Sequence, residues 1–597
     1  MANSSVKSAA FWVFAILFFT LPPSAGPALP NMVYILTDDL GIGDVTGYNP
    51  ASKVPTPEMD AFMSQGMRFT DAHSNSSVCT PTRYGVLTGR YAWRSRLKSG
   101  VLDTKSKRLI EPGRMTVASL LKKQGYRTAC IGKWHLGLDW ADTGDWSKGF
   151  KNGPTAVGFD SYFGIPASLD MEDYAYIEND QVVQAPTGKI GGSSWPAFWR
   201  AGKIAPDFHH VEVLPKMADK AVAWLGDQKN AGPGKPFFLY LALPSPHTPH
   251  VPMPSMIGKS QAGVRGDYVA ETDWAVGRVL KALDSLGLSQ QTLVVVTSDN
   301  GAHDNTYKQY GHTPHMGYRG EKADIFEAGH RIPFSIRWPG VVKAGAVSKE
   351  VVCLTDFMAT AAAITGFRLP DSAGEDSYSL LPVLLGETLP GPLREATVHH
   401  SINGTFAIRQ GAWKLAVDNM GSGGFTDPET VAGPGTLFDI IKNPGEDSLK
   451  DQYAAQPAVV KELRALLDKY KKDGRSTPKN RTDAFWQGPT AIGEPGSDRA
   501  SAPLRFSPRL FTRGGGELRI TGAGEGAFQA ALVGMDGRTV WRGVGRARNG
   551  EAGIFSGRLE PGLYVIRITG DGWNARASLF ADPTMMEVLA EHGSHMD

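Results

Sequence analysis

The sequence has few cysteines: Cys79, Cys130 and Cys353 are the only three among 597 residues. This small, odd number gives no disulfide framework. An excess of one charge sign is also lacking, because 62 basic residues face 60 acidic ones and the formal net charge is +2. A balanced charge offers no polybasic surface, so nucleic acid is not an expected partner.

Long apolar runs are lacking as well, apart from one near the N-terminus. Residues 9–21 are almost entirely apolar, follow Lys7, and precede small residues and prolines. A run of about a dozen residues is too short to span a bilayer. We therefore predict a signal peptide over residues 1–28, a secreted or periplasmic location and no stable membrane span, with a retained anchor as the alternative.

Two predicted buried strands each end in a pair of oxygen donors. The apolar residues 32–36 run into Asp38 and Asp39, and residues 293–297 run into Asp299 and Asn300. Both pairs would lie at the carboxyl edge of a parallel sheet, where open α/β sheets bind ligands. Carboxylate and amide oxygens favour Ca²⁺, with Mg²⁺ as the alternative. Taken alone, the Asp38–Asp39 pair could equally be a solvated turn.

The residues Thr56-Pro57-Glu58 predict the start of a helix that ends before Gly66, with Thr56 as its N-cap and Pro57 at its first position.

Cys79 lies in the stretch Ser-Val-Cys-Thr-Pro-Thr-Arg-Tyr-Gly-Val-Leu-Thr-Gly-Arg, residues 77–90. Serines and threonines near the cysteine indicate an N-cap, followed by a helix over residues 83–87. The N-terminus of such a helix would stabilise an anionic oxygen. A lone cysteine is otherwise most often a small buried apolar residue.

Further candidate residues follow later predicted strands. Gly-Lys-Trp-His-Leu-Gly carries Lys133 and His135, and Pro-His-Thr-Pro-His carries His247 and His250. An imidazole titrates near neutrality, which suits a general acid. Lys322 comes later, in Arg-Gly-Glu-Lys.

Three more residues are predicted near a sugar pocket. Residues 164–180 are acidic and aromatic without a clear period, so we interpret them as a loop in which Asp170 could accept hydrogen bonds from sugar hydroxyl groups. His312 and His315 lie just before Lys322, in a loop that could line the same pocket.

These motifs, in this order over residues 32–340, resemble the signature of the formylglycine-dependent sulfatases. The resemblance covers Cys-x-Pro-x-Arg, Thr-Gly-Arg, Gly-Lys-Trp-His-Leu-Gly and Glu-Ala-Gly-His-Arg-Ile-Pro, with Thr82 and Ala328 at positions where the family usually has other small residues. It implies that a maturase converts Cys79 to formylglycine, whose hydrate attacks sulfur.

The resemblance also implies roles for the other residues. Asp38, Asp39, Asp299, Asn300 and the oxygen of oxidised Cys79 would hold the divalent cation. Arg83, Lys133 and Lys322 would offset the sulfate charge, His135 would hydrogen-bond the formylglycine, and His247 would protonate the leaving oxygen. His250 would contact the substrate.

The fold implied is α/β, an alkaline-phosphatase-like mixed sheet between helices. We expect the catalytic domain over residues 29–385 and a small antiparallel α+β subdomain over residues 386–474. A linker over residues 475–502, rich in Lys, Pro, Gly and Ser, precedes a predicted β-sandwich over residues 503–582 with an accessory, sorting or cell-surface role. Residues 583–597 end in Gly-Ser-His-Met-Asp and look like a vector-derived tail.

The predicted activity is hydrolysis of O-sulfate esters on a carbohydrate, with 6-O-sulfated galactose or N-acetylgalactosamine favoured by resemblance. One alternative is a phosphatase or phosphodiesterase of the same superfold, against which Cys79 and Asn300 argue, because those enzymes typically present imidazoles to zinc. The other is a catalytically silent, secreted glycan-binding protein whose Cys79 is never converted.

Overall fold

The computed structural model describes residues 29–232, 235–303, 307–426, 432–480 and 485–486, and the backbone of strands between residues 505 and 587. The predicted signal peptide, most of the predicted linker and nearly all of the predicted tail lie outside the described residues. The chain divides into two compact units, one ending at Trp486 and one beginning at Gln487. The predicted domain boundaries stay predictions.

A ten-stranded mixed sheet forms the centre of the first unit. Five adjacent strands at its centre are mutually parallel: β1 (Asn31–Asp38), β2 (Arg127–Lys133), β3 (Ser161–Ile165), β4 (Phe237–Pro246) and β5 (Thr292–Ser298), in the spatial order β5-β1-β4-β2-β3. Beyond β5 lie Phe334–Arg337, Met67–Phe69 and Ala346–Ser348, and beyond β3 lie Ile177–Glu178 and Gln181–Val182. This agrees with the predicted mixed α/β sheet.

Helices cover both faces of this sheet. The described helices of the first unit are α1 (Pro57–Ser64), α2 (Cys79–Thr88), α3 (Val117–Lys123), α4 (His210–Asn230), α5 (Gly263–Ser285), α6 (Tyr307–Tyr310), α7 (Glu327–His330), α8 (Phe357–Thr365), α9 (Leu381–Leu384) and α10 (Pro457–Asp473), of which α10 lies against a second sheet instead. Tyr34 and Leu36 of β1 pack with α2, α3 and α8, while Val33 and Ile35 pack with α1, α4 and α5. The continuous apolar run of β1 is therefore the consequence of burial on two faces.

Three local predictions were wrong. Helix α2 begins at Cys79 rather than Arg83, and its N-cap residue, Val78, has no side chain able to cap it. Residues 164–180 are not one loop, because β3 continues to Ile165 and Ile177–Glu178 is a strand that pairs with it. Thr56 occupies the N-cap position of α1 without capping it through its side chain.

A four-stranded antiparallel sheet lies within the residues predicted to form the small subdomain, and α10 packs against it. Its strands are β6 (Thr397–His400), β7 (Phe406–Gln410), β8 (Trp413–Asn419) and β9 (Ala432–Asp439). Lys414 of β8 ties this sheet to α7 through Glu327 at 3.1 Å and the Nε2 atom of His330 at 3.0 Å. The imidazole of His399 in β6 stacks on that of His330, with ring centroids 3.9 Å apart.

Three two-stranded sheets complete the first unit. They pair Ala72–His73 with Val352–Cys353, Asp139–Trp140 with Phe150–Lys151, and Gly188–Ile190 with Gly202–Ile204. Across the part of the chain that the structure describes, helices long and apolar enough to cross a membrane are not found.

The described residues of the second unit form strands. One sheet contains Arg505–Thr512, Gly515–Thr521 and Glu551–Gly557, and another contains Gly526–Gly534, Thr539–Ala547, Gly562–Gly570, Trp573–Ala581 and Met586–Glu587. Neighbouring strands in each sheet are antiparallel.

Candidate active site

The register between β1 and β5 brings four predicted oxygen donors together. Thr37 pairs with Ser298, so Asp38 and Asp39 emerge beside Asp299 and Asn300. The Asn300 Nδ2 donates to Asp39 Oδ1 at 2.7 Å, and the backbone N–H of Asp39 donates to Asp299 Oδ1 at 3.2 Å. All four side chains are buried. We call these four residues the acid cluster.

The backbone around the acid cluster is tightly constrained. Asp39 has a φ of 66°, a left-handed conformation that is uncommon for residues other than glycine. Gly301, directly after Asn300, approaches α7 so closely that a Cβ atom would lie 1.7 Å from the Ala328 carbonyl oxygen. Only glycine fits there, which fixes the path of the chain beyond the cluster.

Three buried cations face the three carboxylates. Lys133 Nζ donates to Asp38 Oδ2 at 2.6 Å, Lys322 Nζ lies 2.8 Å from an Asp39 carboxylate oxygen, and Arg83 Nη2 donates to Asp299 Oδ2 at 2.7 Å. Burial alone would raise the pKa of Asp38, but Lys133 and its neighbouring cations hold that pKa well below its usual range. A buried charge needs such pairing.

The acid cluster fits a divalent cation. Asp38 Oδ1 and Asn300 Oδ1 are both buried and have no hydrogen-bond partner among the described residues. Ligand atoms of Asp38, Asp39 and His247 also lie within 4.8 Å of one another. Buried acceptors cost free energy unless something positive binds them, and hard oxygen donors suit Ca²⁺ or Mg²⁺.

Cys79 begins α2 directly beside these charges. Its side chain is 2% exposed. Burial raises the pKa of the Cys79 thiol, and the nearby charges of Lys133 and Lys322 act in the opposite direction. Because Val78 cannot cap α2, the positive end of the helix is open toward a group carried by residue 79.

For two histidines near the acid cluster, the hydrogen bonds show which ring nitrogen carries the hydrogen. His135 Nε2 lies 2.6 Å from the Leu102 carbonyl oxygen and must donate to it, so Nδ1 is an acceptor; this buried Nδ1 has no partner in the described part of the chain. His247 Nδ1 lies 2.6 Å from the Thr248 carbonyl oxygen in the same way, and its Nε2 lies 3.8 Å from Asp39 Oδ2. Each histidine therefore keeps one nitrogen for another partner.

The residues predicted near a sugar pocket divide into two groups. Asp170 lies near His247, with Oδ1 3.9 Å from Nδ1, and forms an ion pair with Arg200. His250 is buried, and its backbone N–H donates to the Pro196 carbonyl oxygen at 3.0 Å.

The other group lies outside the acid cluster. His312 instead joins Asp44, with its Nε2 2.8 Å from Oδ1, and its Nδ1 accepts from the backbone N–H of Lys53 at 3.4 Å. Both ring nitrogens of His312 are therefore engaged by protein. His315 is half-buried in the turn before Tyr318.

Sequence reasoning missed two contacts to the charged groups. Ser168 Oγ accepts a hydrogen bond from Lys133 Nζ at 2.6 Å, and Arg265 of α5 donates to the Asp39 carbonyl oxygen at 3.3 Å while pairing with Asp44. Ser168 lies two residues before Asp170, so the stretch was identified but not this residue. Arg265 had no local signal, because its partners are more than 200 positions away.

A charge-balanced cluster at the carboxyl edge of a parallel sheet, with an unpartnered oxygen pair and a flanking thiol, is the arrangement of an α/β enzyme that accepts an anionic substrate. Comparison with known proteins makes the class specific. The family model described as Sulfatase matches residues 30–367. The chain belongs to the sulfatase family and is a sulfuric ester hydrolase, which sets aside the phosphatase and silent-protein alternatives.

Individual relatives cover most of the chain. It is 34% identical over 496 residues to an N-acetylgalactosamine-6-O-sulfatase of Bacteroides thetaiotaomicron, covering 74% of this chain and 93% of that protein. It is 32% identical to human arylsulfatase A, covering 73% of this chain and 87% of the relative.

Solved structures show the same similarity. A sulfatase structure from Bacteroides thetaiotaomicron, described with the metabolism of multiple glycosaminoglycans, matches with a TM-score of 0.67 and 32% identity over 74% of this chain and 99% of that one. A sulfatase of Pseudoalteromonas sp. matches with a TM-score of 0.60 and 25% identity, over 75% of this chain and 92% of the other.

Proposed function

We propose that this sulfatase acts on a carbohydrate, and that it releases sulfate from O6 of galactose or N-acetylgalactosamine. The observation that carries the chemistry is the acid cluster, with its two unpartnered oxygens, beside a buried cysteine at the start of α2. The choice of sugar is supported by the similarity to the N-acetylgalactosamine-6-O-sulfatase, and this similarity covers 93% of that relative.

In the proposed active state, residue 79 is formylglycine and the acid cluster holds Ca²⁺, or Mg²⁺ in its place. Hydrated formylglycine would supply the attacking oxygen, and the cation would supply positive charge beside the sulfate. His135 Nδ1, a buried acceptor, is suited to hold a hydroxyl hydrogen on residue 79. The acid cluster and His135 thus fit both groups.

The chain's own cations bind and orient the sulfate ester. Lys322 and Lys133 each contact one carboxylate of β1 and keep donors for sulfate oxygens. Arg83 donates to Asp299 and to the Lys133 carbonyl oxygen, so it positions the cluster from beneath. Opposite charges placed in advance lower the cost of stabilising the charge that develops during sulfur–oxygen cleavage.

His247 supplies the proton for the departing sugar. Its Nδ1–H is held by the Thr248 carbonyl oxygen, which leaves Nε2 as the atom that exchanges a proton. When the sulfur–oxygen bond to the sugar breaks, the proton on Nε2 passes to the leaving oxygen. Burial and the nearby charge of Lys322 lower the pKa of His247, so a proton on Nε2 is readily given up to the leaving oxygen.

Four further proposals concern the export of the protein, its maturation and the parts of the chain outside the acid cluster. We propose export from the cytoplasm and conversion of Cys79 by a formylglycine-generating maturase. We also propose that residues 386–474 wall the substrate site and that residues 503–582 form an accessory β-sandwich that can attach the enzyme to a cell surface. Cell fractionation tests export, peptide mass at residue 79 tests conversion, and truncation before residue 503 tests the accessory domain.

A panel of regioisomers tests the proposed function. Protein co-expressed with a maturase and supplied with Ca²⁺ is given 2-, 4- and 6-O-sulfated galactosides, and free sulfate is measured. Release from the 6-O-sulfated sugars alone is the expected result. Release from another position, or from none of the sugars while formylglycine is confirmed at residue 79, would overturn the assignment.

A further inference from the structure

Four rings from separate parts of the chain form a continuous row beside the acid cluster. Trp195 lies between His250, at 4.9 Å between ring centroids, and His303, at 5.7 Å, and His303 contacts Phe425 at 5.2 Å. We call His250, Trp195, His303 and Phe425 the aromatic wall. Neighbouring planes are steeply inclined, at 75°, 72° and 61°.

The aromatic wall runs from the acid cluster outward. His250 follows His247 by three residues and is 3% exposed, Trp195 and His303 are half-buried, and Phe425 is 42% exposed. An exposed phenylalanine at the end of a row of rings offers apolar surface that a ligand can cover. The gradient of exposure marks a route from solvent to the site.

The wall is anchored to the same turn that carries Lys322. Glu321 Oε2 lies 2.9 Å from His303 Nδ1, and Asp324 Oδ1 accepts from the backbone N–H of Phe425 at 2.7 Å. Between these two residues, Lys322 reaches the carboxylate of Asp39. One turn therefore fixes the position of the rings relative to the lysine proposed to bind sulfate.

Two nitrogen atoms at the inner end of the aromatic wall are available for hydrogen bonds to a ligand. His250 Nδ1 and Trp195 Nε1 are buried, and neither has a hydrogen-bond partner within the described ranges. The indole N–H only donates, and a neutral imidazole nitrogen without hydrogen only accepts. In the tautomer of His250 with its hydrogen on Nε2, a hydroxyl group can accept from Trp195 Nε1 and donate to His250 Nδ1. Buried polar atoms without a partner cost free energy when nothing binds them.

We propose that the aromatic wall binds the pyranose ring that carries the sulfate ester. Trp195 and Phe425 cover C–H groups of the sugar, while His250 Nδ1 and Trp195 Nε1 hold one of its hydroxyl groups. Pockets for sugars combine apolar surface with a few placed polar atoms. This inference rests on the proposed function and adds the residues that recognise the sugar apart from its sulfate.

Binding to full-length protein that cannot turn over tests the wall. In a Cys79→Ala background with Ca²⁺, calorimetry measures affinity for methyl 6-O-sulfo-β-galactoside and, separately, for inorganic sulfate. Trp195→Phe removes the N–H and should weaken galactoside binding about fivefold, while Trp195→Ala and Phe425→Ala should each weaken it about tenfold or more. Affinity for inorganic sulfate should stay within about twofold.

Two control variants share the surroundings of these substitutions. Trp199 lies on the same loop as Trp195 but stacks on His210 and donates to the Gly191 carbonyl oxygen, so Trp199→Phe should leave galactoside affinity unchanged. Met420, 44% exposed, lies like Phe425 between β8 and β9, so Met420→Ala should also have no effect.

The outcomes separate the wall from the proposed function. Unchanged galactoside affinity in Trp195→Ala and Phe425→Ala, with sulfate released from the galactoside by converted wild-type enzyme, would overturn the wall alone. Equal losses for galactoside and inorganic sulfate would also overturn it, because they indicate general damage. Binding of sulfate without any binding of the galactoside would overturn both proposals.

Discussion

Cys79 and Cys353 are two thiols that are equally buried, each 2% exposed, in different surroundings. Cys79 begins α2 near Lys133 and Lys322, whereas Cys353 packs in the apolar core beneath the four-stranded sheet. We predict that Cys79→Ala reduces sulfate release at least about a thousandfold, because the attacking oxygen is lost. Cys353→Ala should retain activity; equal losses in the two variants, measured as kcat/KM, would contradict the assignment.

Asn300 gives a prediction about the cation. Its Nδ2 is used by Asp39 and the Gly301 carbonyl oxygen, so only its Oδ1 is available to a metal. Ca²⁺ added to chelator-treated protein should raise the Tm, because a ligand of the folded state stabilises it. Asn300→Ala should remove most of this shift, whereas Asp273→Asn should preserve it. A full Ca²⁺ shift in Asn300→Ala would place the metal elsewhere.

The sequence predicts residues whose signal is local and misses those whose partners are distant. Asp38, Asp39, Asp299 and Asn300 follow apolar strands directly, so their meeting at one sheet edge follows from parallel pairing. Trp195 lies on a loop without any clear pattern, and its neighbours, His250 and His303, come from other segments. No spacing rule connects such residues before the chain folds.

At the scale of elements, α1 is capped by another helix. Asp273 of α5 accepts from the backbone N–H groups of Glu58 at 3.1 Å and Met59 at 2.8 Å. Thr56 was predicted to provide the cap, but its hydroxyl group is used by Thr46 and Asp60. The sequence predicts that a side chain caps this helix. It does not predict that Asp273 provides the cap, because Asp273 lies more than 200 residues away along the chain.

Asp273 also makes stability depend on pH. Burial raises the pKa of Asp273 to about 7, against the effect of its two N–H donors. Its proton is bound more tightly in the folded state, so this contribution is complete below about pH 4 and is lost as pH rises through about 7.

The Asp273→Asn variant tests this direction. The advantage of wild type over the variant in free energy of unfolding should therefore be larger at pH 5 than at pH 8, by up to about 1.4 kcal/mol per unit of pKa shift. Urea denaturation at both values measures the difference. An advantage that grows with pH would show that the helix N-terminus outweighs burial and holds the pKa low.

At the scale of the whole first unit, Lys414 joins the four-stranded sheet to α7. It is buried between Glu327 of α7 and Glu446, at 3.1 and 2.9 Å. Lys414→Met would leave two buried carboxylates facing each other, and we predict a loss of about 3–5 kcal/mol in stability. Chemical denaturation followed by fluorescence measures this loss.

An exposed pair provides the control. Lys442, with 85% of its side chain exposed, pairs with Asp439 at 3.2 Å in the same subdomain. Lys442→Met should change stability by less than about 0.5 kcal/mol. Similar effects of the two substitutions would show that Lys414 does not hold the four-stranded sheet against α7.

The burial of Cys79 has a consequence for how the active enzyme is made. Once α2 has packed between β1, α3 and α8, another protein can no longer reach the first residue of this helix. The proposed maturase would therefore have to act while the chain is still being synthesised or exported, so the proposed conversion would compete in time with folding. Conditions that slow folding should raise the fraction of chains that carry formylglycine at residue 79. Folded protein with an unmodified Cys79 should stay inactive until it is unfolded and exposed to the maturase again.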